Sequence, residues 1–319
     1  MSIVRLDIAD RTQATAAHTR SASPAEEAAF LEDLRRRAAE RLERGYRFLE
    51  SQPDAWALAR ANVLFGAMAP ERLTERLAAT QREDGSLPPG TLVAGGGLGF
   101  PEIDPQALPE AERALVGSFE ALSIAGDARL LHADWVEPAL RFVESRQEAD
   151  GSWRIGGAAR PETDAVFWTG MCAGILGRSP RAKPAPLERA GDFLGARFAP
   201  ERVEHRDGYP ELLAYSHFFT NVAHDLADEA LQWCGRALEK GFRSRELEAV
   251  ATLRVLLTCD AQAMPGATFD VVELLERIFE EQAGDGGFAE LSLGGPTTRT
   301  TQTFDALLAI VRLCAALGD

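Results

Sequence analysis

Gln147-Glu-Ala-Asp-Gly-Ser-Trp153 has two near-copies elsewhere in the chain, Gln81-Arg-Glu-Asp-Gly-Ser-Leu87 and Gln282-Ala-Gly-Asp-Gly-Gly-Phe288. The shared pattern is Gln-x-x-Asp-Gly, then Ser or Gly, then a large apolar residue. Asp-Gly makes a turn, because glycine accepts the positive φ that stops a helix. The apolar residue then folds back on the hairpin, and the glutamine amide can bond backbone groups freed at a helix end. A turn that recurs at matched places is the mark of a repeat architecture.

Working outward from these turns, apolar residues recur at i, i+3, i+4 and i+7 almost everywhere, and no run of alternating β-branched residues interrupts them. The helices arrive in pairs. The spacing predicts first members over about 26–51, 70–81, 134–147, 186–198, 225–240 and 268–282. Second members are predicted over about 54–67, 110–125, 162–177, 209–223, 245–259 and 298–316. Second members are apolar nearly all round, as in Ala165-Val-Phe-Trp-Thr-Gly-Met-Cys-Ala-Gly-Ile-Leu176, which requires burial on both sides. First members carry more charge, as in Leu34-Arg-Arg-Arg-Ala-Ala-Glu-Arg-Leu-Glu43. An inner ring of apolar helices inside an outer ring of amphipathic ones follows. The expected fold is all-α, an (α/α)6 barrel or toroid of about six hairpins over residues 25–319. Residues 1–24 read as an arm or disordered leader. The connection over 84–109, far longer than a usual loop, reads as a lid or lip over one end of the ring.

Composition narrows the partners. The formal net charge is -15 across 319 residues, and such a surface repels phosphate backbones and anionic lipid. Nucleic acid is therefore not an expected partner, and no apolar run is long enough for a membrane span. Cys172, Cys234, Cys259 and Cys314 are dispersed in apolar stretches without a Cys-x-x-Cys pair, so reduced core thiols are expected. With no secretory signal visible, the expected location is cytoplasmic. A homodimer is an open alternative.

Gln147-x-x-x-Gly151-x-Trp153 resembles the QW motif of squalene–hopene cyclases, and the other two turns look like degenerate copies. A similar helix–turn–helix repeat builds the β subunits of protein prenyltransferases. The resemblance runs over roughly residues 26–318, and implies an isoprenoid or other greasy small substrate in a central cavity. Class II terpene cyclases of this kind protonate an alkene or epoxide with the middle acid of an Asp-x-Asp-Asp motif, acting as isomerases or lyases. That motif is missing here. Its nearest counterpart is Pro161-Glu-Thr-Asp164-Ala-Val, which keeps Glu162 and Asp164 at the start of the third inner helix. Two neighbouring carboxyls can hold one proton between them, although acids at such a position also cap a helix and favour its dipole.

The prenyltransferase zinc site is eroded as well. Arg245, Glu248 and Val250 stand where the resemblance would place a basic residue, an acid and a cysteine, and Gln302 falls near the third ligand. Neither metal nor cofactor is expected. His217, Arg243 and Arg245 are the anion-binding candidates under the same resemblance. Other polar residues on the inner helices are Glu120, about midway along the second, and Glu211, Tyr215, Arg299, Thr301, Gln302 and Asp305 nearer the starts of theirs. Asp305 stands in an apolar run, where a carboxylate must be paired or have a raised pKa; Arg299 or Arg254 could pair with it.

The expected site is thus Asp164, Glu162 and Asp305 for acid–base work. His217, Tyr215, Trp168, Phe219, Arg245, Arg299 and Gln302 are the expected substrate contacts. Aromatic walls stabilise a developing cation, and Trp153, Phe167, Phe218 and Phe304 join Trp168 and Phe219 as candidates. Two other functions stay open. One is carbohydrate processing by paired carboxylates, Asp164 with Asp305 or Glu211 with Asp260. The other is a non-catalytic lipid-binding or scaffold ring.

Overall fold

A computed structural model describes residues 23–88, 108–156, 160–260, 264–290 and 299–317. The leader expected over 1–24 lies outside the described residues up to 22. So does most of the lid expected over 84–109. The chain enters its first helix at Ser23, which caps it and forms a reciprocal capping box with Glu26.

The described residues form thirteen α-helices and one 3₁₀ turn. The outer helices are α1 (Pro24–Glu50), α3 (Pro70–Ala78), α5 (Val136–Ser145), α7 (Pro184–Gly195), α10 (Ala227–Arg243) and α12 (Val271–Glu281). The inner ones are α2 (Ala55–Leu64), α4 (Glu110–Asp127), α6 (Glu162–Gly177), α9 (Tyr209–Asn221), α11 (Ala249–Thr258) and α13 (Arg299–Ala316). A four-residue helix, α8 (Pro200–Val203), and the 3₁₀ turn Arg206–Gly208 interrupt the fourth hairpin, where the periodicity had shown only a connection. Every residue of α6 from Asp164 to Leu176 is buried, while α12 buries one stripe, Leu274, Leu275, Ile278 and Phe279. That contrast sorts the helices into two rings. α13 packs against α1 and α2, closing the circle. The fold is the all-α toroid that the repeats predict. No described helix is long and apolar enough to cross a membrane.

The recurrent turns hold neighbouring hairpins together. Helices α3, α5 and α12 stop one to three residues before their glutamines, so the side chain acts beyond the helix end. Gln81 Nε2 donates to Gly85 O and to Trp135 O, each at 2.9 Å. Gln147 Nε2 does the same with Gly151 O at 2.9 Å and Pro186 O at 2.8 Å. Gln282 reaches Gly286 O and, across the closure, Arg41 O of α1, both at 2.9 Å. One amide thus ties its own turn to the next outer helix. The following apolar residue hangs from an inner-helix hydroxyl: Leu87 N–H donates to Ser118 Oγ, Trp153 N–H to Thr169 Oγ1 and Phe288 N–H to Thr303 Oγ1, at 2.9–3.0 Å. Trp153 is fully buried and its indole N–H donates to Val143 O at 2.8 Å. Burying about 200 Å² of such a ring contributes up to about 5 kcal/mol. Gly151 has φ +87°, and a Cβ there would run into the backbone carbonyl of Arg189, so both conformation and space demand glycine.

Candidate active site

A cavity of about 80 Å³, partly open to solvent, lies on the axis of the ring, and all six inner helices contribute to it. Its polar lining is Arg60 from α2, Glu120, Ser123 and Asp127 from α4, Arg178 at the end of α6, His217 from α9, Arg254 and Thr258 from α11, and Thr301 and Asp305 from α13. Apolar side chains complete it: Ile124, Met171, Ile175, Leu257 and Leu308. Most of these residues lie in the C-terminal halves of their helices.

Glu120 is 5% exposed, and neither carboxyl oxygen has a hydrogen-bond partner among the described residues. Burial raises its pKa well above the carboxylate range, against an opposing pull from the Arg60 guanidinium. Burial thus favours the protonated form of Glu120. His217 is 1% exposed and both ring nitrogens are unpartnered. Burial, with help from Arg178, pushes its pKa down to about 3, so the imidazole is neutral. A Cβ on Gly174 of α6 would strike that ring, so the glycine makes the room His217 occupies.

The cations are held differently. Arg60 pairs with Asp127 at 2.9 Å and lies over the Phe304 ring, 3.8 Å from its centroid. Arg178 Nη2 donates to Gly126 O at 3.2 Å, at the negative end of α4. Arg254 is 2% exposed, and its Nη2 faces Asp305 Oδ2 at 3.4 Å, beyond hydrogen-bonding geometry. Burial raises the pKa of Asp305, while Arg254 and Arg60 oppose the rise.

The structure brings only two of the ten expected site residues, His217 and Asp305, to this cavity. Of the two basic residues named as partners for Asp305, Arg254 is the one it faces; Arg299 pairs with Asp285 at 2.8 Å and covers the Phe48 ring. Glu162 and Asp164 diverge rather than share a proton. Glu162 bonds Arg197 at 2.8 Å, which holds its carboxyl below the usual range, and Asp164 accepts from Arg160 at 2.6 Å. Arg245 is exposed beside Glu280, and Arg243 is engaged by Glu239 and Glu273. Tyr215 stacks on Phe219, and Trp168 sits edge-on to Phe119 and Phe167; these rings are core. Gln302 is fully buried with both amide atoms unpartnered, yet it does not reach the cavity. Glu211 is engaged by Arg202 and Asp260 by Arg312, so the second carboxylate pair considered for sugar chemistry does not meet. Among the described residues no group of three metal-ligating side chains comes together.

Glu120 and the arginines were readable only as lone charges inside apolar helices. Arg254 in Ala249-Val-Ala-Thr-Leu-Arg-Val-Leu-Leu-Thr258 carries the same signal as Asp305. No family model and no curated protein sequence matches this chain. Two solved structures share its fold. A protein from Actinoplanes is 15% identical with a TM-score of 0.54, covering 87% of this chain and 99% of its own. The type II terpene cyclase MstE from Scytonema, solved with its substrate geranylgeranyl dihydroxybenzoate, is 12% identical with a TM-score of 0.55. That match covers 90% of this chain and 99% of the cyclase. The chain thus has a terpene-cyclase-like fold.

Proposed function

We propose that this protein is an acid–base enzyme of the terpene-cyclase kind, acting on an isoprenoid-type substrate in the axial cavity with Glu120 as proton donor. The observation that carries this reading is a buried carboxyl lining the cavity with both oxygens unpaired, its pKa raised by burial. A buried acid left without partners destabilises a fold, and such groups concentrate where chemistry needs them. A carboxyl with a raised pKa is matched to protonating an oxygen at neutral pH, such as that of an epoxide. The carbon–oxygen bond then breaks, and the electron pair stays on the oxygen as it takes the proton. The resulting cation sheds a proton to a base. Neutral His217, too weak to deprotonate ordinary acids, is strong enough for that step. The five apolar side chains along the wall suit a hydrocarbon, and MstE, which shares the fold, is bound to a substrate with a geranylgeranyl chain.

Carbohydrate chemistry is the second reading. It is favoured by two buried carboxyls, Glu120 and Asp305, on one cavity.

The test is incubation with farnesyl and geranylgeranyl substrates and their terminal epoxides, with products followed by mass spectrometry. Glu120→Gln should lower turnover at least about a hundredfold, the usual contribution of a positioned general acid. A Glu120→Gln enzyme that keeps its rate while Asp164→Asn or Asp305→Asn loses it would overturn the assignment.

A further inference from the structure

We propose that Arg254, with Arg60 and Arg178, forms a receptor in the axial cavity for the oxyanion head of the ligand, a phosphate-type or carboxylate group. Three arginines from three inner helices border one small cavity. Their neighbours account for two of them. Arg60 has Asp127, and Arg178 has the Gly126 carbonyl at a helix end. Arg254 is different. Its Nε, Nη1 and Nη2 make no hydrogen bond to any described residue, and it stands inside α11 rather than at its end. A buried guanidinium presents five N–H donors in a fixed fork, and leaving the fork unused is costly unless a ligand fills it.

The local charge agrees. Burial raises the pKa of Glu120 and of Asp305 and so disfavours their charged forms, while three guanidinium groups, of Arg60, Arg178 and Arg254, border the same cavity. The cavity is therefore cationic in a chain whose overall charge is -15. Asp305 guards the fork. The Arg254 nitrogens are closed to solvent, so an oxyanion reaches them by displacing the Asp305 carboxyl from its 3.4 Å contact. Asp305 then leaves its counter-ion and takes up a proton. That exchange swaps a poorly aligned ion pair for a bidentate one. The inference deepens the proposed function by naming one end of the substrate. An apolar tail alone would leave three cations beside a developing carbocation, and an anionic head offsets them.

Calorimetric titration of the full chain with sulfate, inorganic pyrophosphate and benzoate separates the two anion chemistries from each other. Saturable binding of at least one is expected, with sulfate or pyrophosphate favoured if the head is phosphate-type and benzoate if it is a carboxylate. Arg254→Met should weaken that binding at least about tenfold. Should Arg254→Met fail to fold, Arg178→Met, on a partly exposed residue, carries the same expectation. Asp305→Asn should bind more tightly, since nothing charged competes for the fork. Glu120→Gln is read by turnover and Arg254→Met by anion affinity, so the two assignments fail separately; Thr169→Val, away from the cavity, should bind the anion as wild type does. Absence of saturable binding for all three anions, or unchanged affinity in Arg254→Met, overturns the inference and leaves the proton-donor assignment standing.

Discussion

The turns between hairpins and the axis of the ring are both rich in polar groups, and they treat them in opposite ways. At the turns the glutamine amide and the backbone around it find acceptors: Gln147 Nε2 has two carbonyls, Trp153 N–H has a threonine hydroxyl, and Ser152 N–H has Asp150. On the axis Glu120, His217 and Arg254 have none, apart from one long ion pair. Satisfied polar groups stabilise a fold by about 1 kcal/mol each, whereas buried orphans cost more than that. The turns tie neighbouring hairpins of the ring together. Buried orphans are concentrated where function needs them.

Mutation can break this contrast at either end. The largest effect is expected for Gly151→Ala. It forces a non-glycine residue to φ +87° and drives a Cβ into the Arg189 carbonyl. A loss of about 3 kcal/mol in urea unfolding is expected, the upper range for left-handed strain with a clash. A midpoint unchanged from wild type would mean the turn does not hold the hairpins.

On the axis the sign should reverse. The Glu120 pKa is raised in the fold, so its contribution is fully present below the unfolded value and is lost as pH rises through the folded one. Glu120→Gln removes that loss. Urea unfolding of the variant at pH 7 should show a gain in stability that shrinks to nothing as pH falls below about 4.5. A destabilised Glu120→Gln protein at pH 7 would place Glu120 among the structural groups. The smallest effect belongs to Thr169→Val, which keeps the shape but strips the acceptor from the buried Trp153 N–H. About 1–2 kcal/mol should be lost with turnover intact, as the near-ultraviolet tryptophan signal and a product assay would report.

Helix pairing, the inner and outer sorting and the turn residues were legible in the chain because each is a local property. Asp-Gly, a 3.6-residue period and an apolar or striped helix face need no distant partner to be recognised. Helix ends drifted by a few residues, as α5 shows, stopping at Ser145 where the pattern ran on to Gln147. The missed α8 is four residues long, too short for any period. The site was legible in part. Asp305 and His217 are conspicuous because they interrupt apolar runs. Glu162 and Asp164 are conspicuous through a family motif, and the structure engages both with arginines.

Composition and periodicity therefore specified an all-α ring and the turns that fasten it, since helix propensity and patterning act within a few residues of chain. Which charges meet was left to tertiary structure. Arg60, Glu120, Arg178, His217, Arg254 and Asp305 come from six helices. Only closure of α13 onto α1 and α2 brings them around one axis. Burial there, a property of the assembled ring and not of any segment, raises the pKa of Glu120 and pushes that of His217 down to about 3.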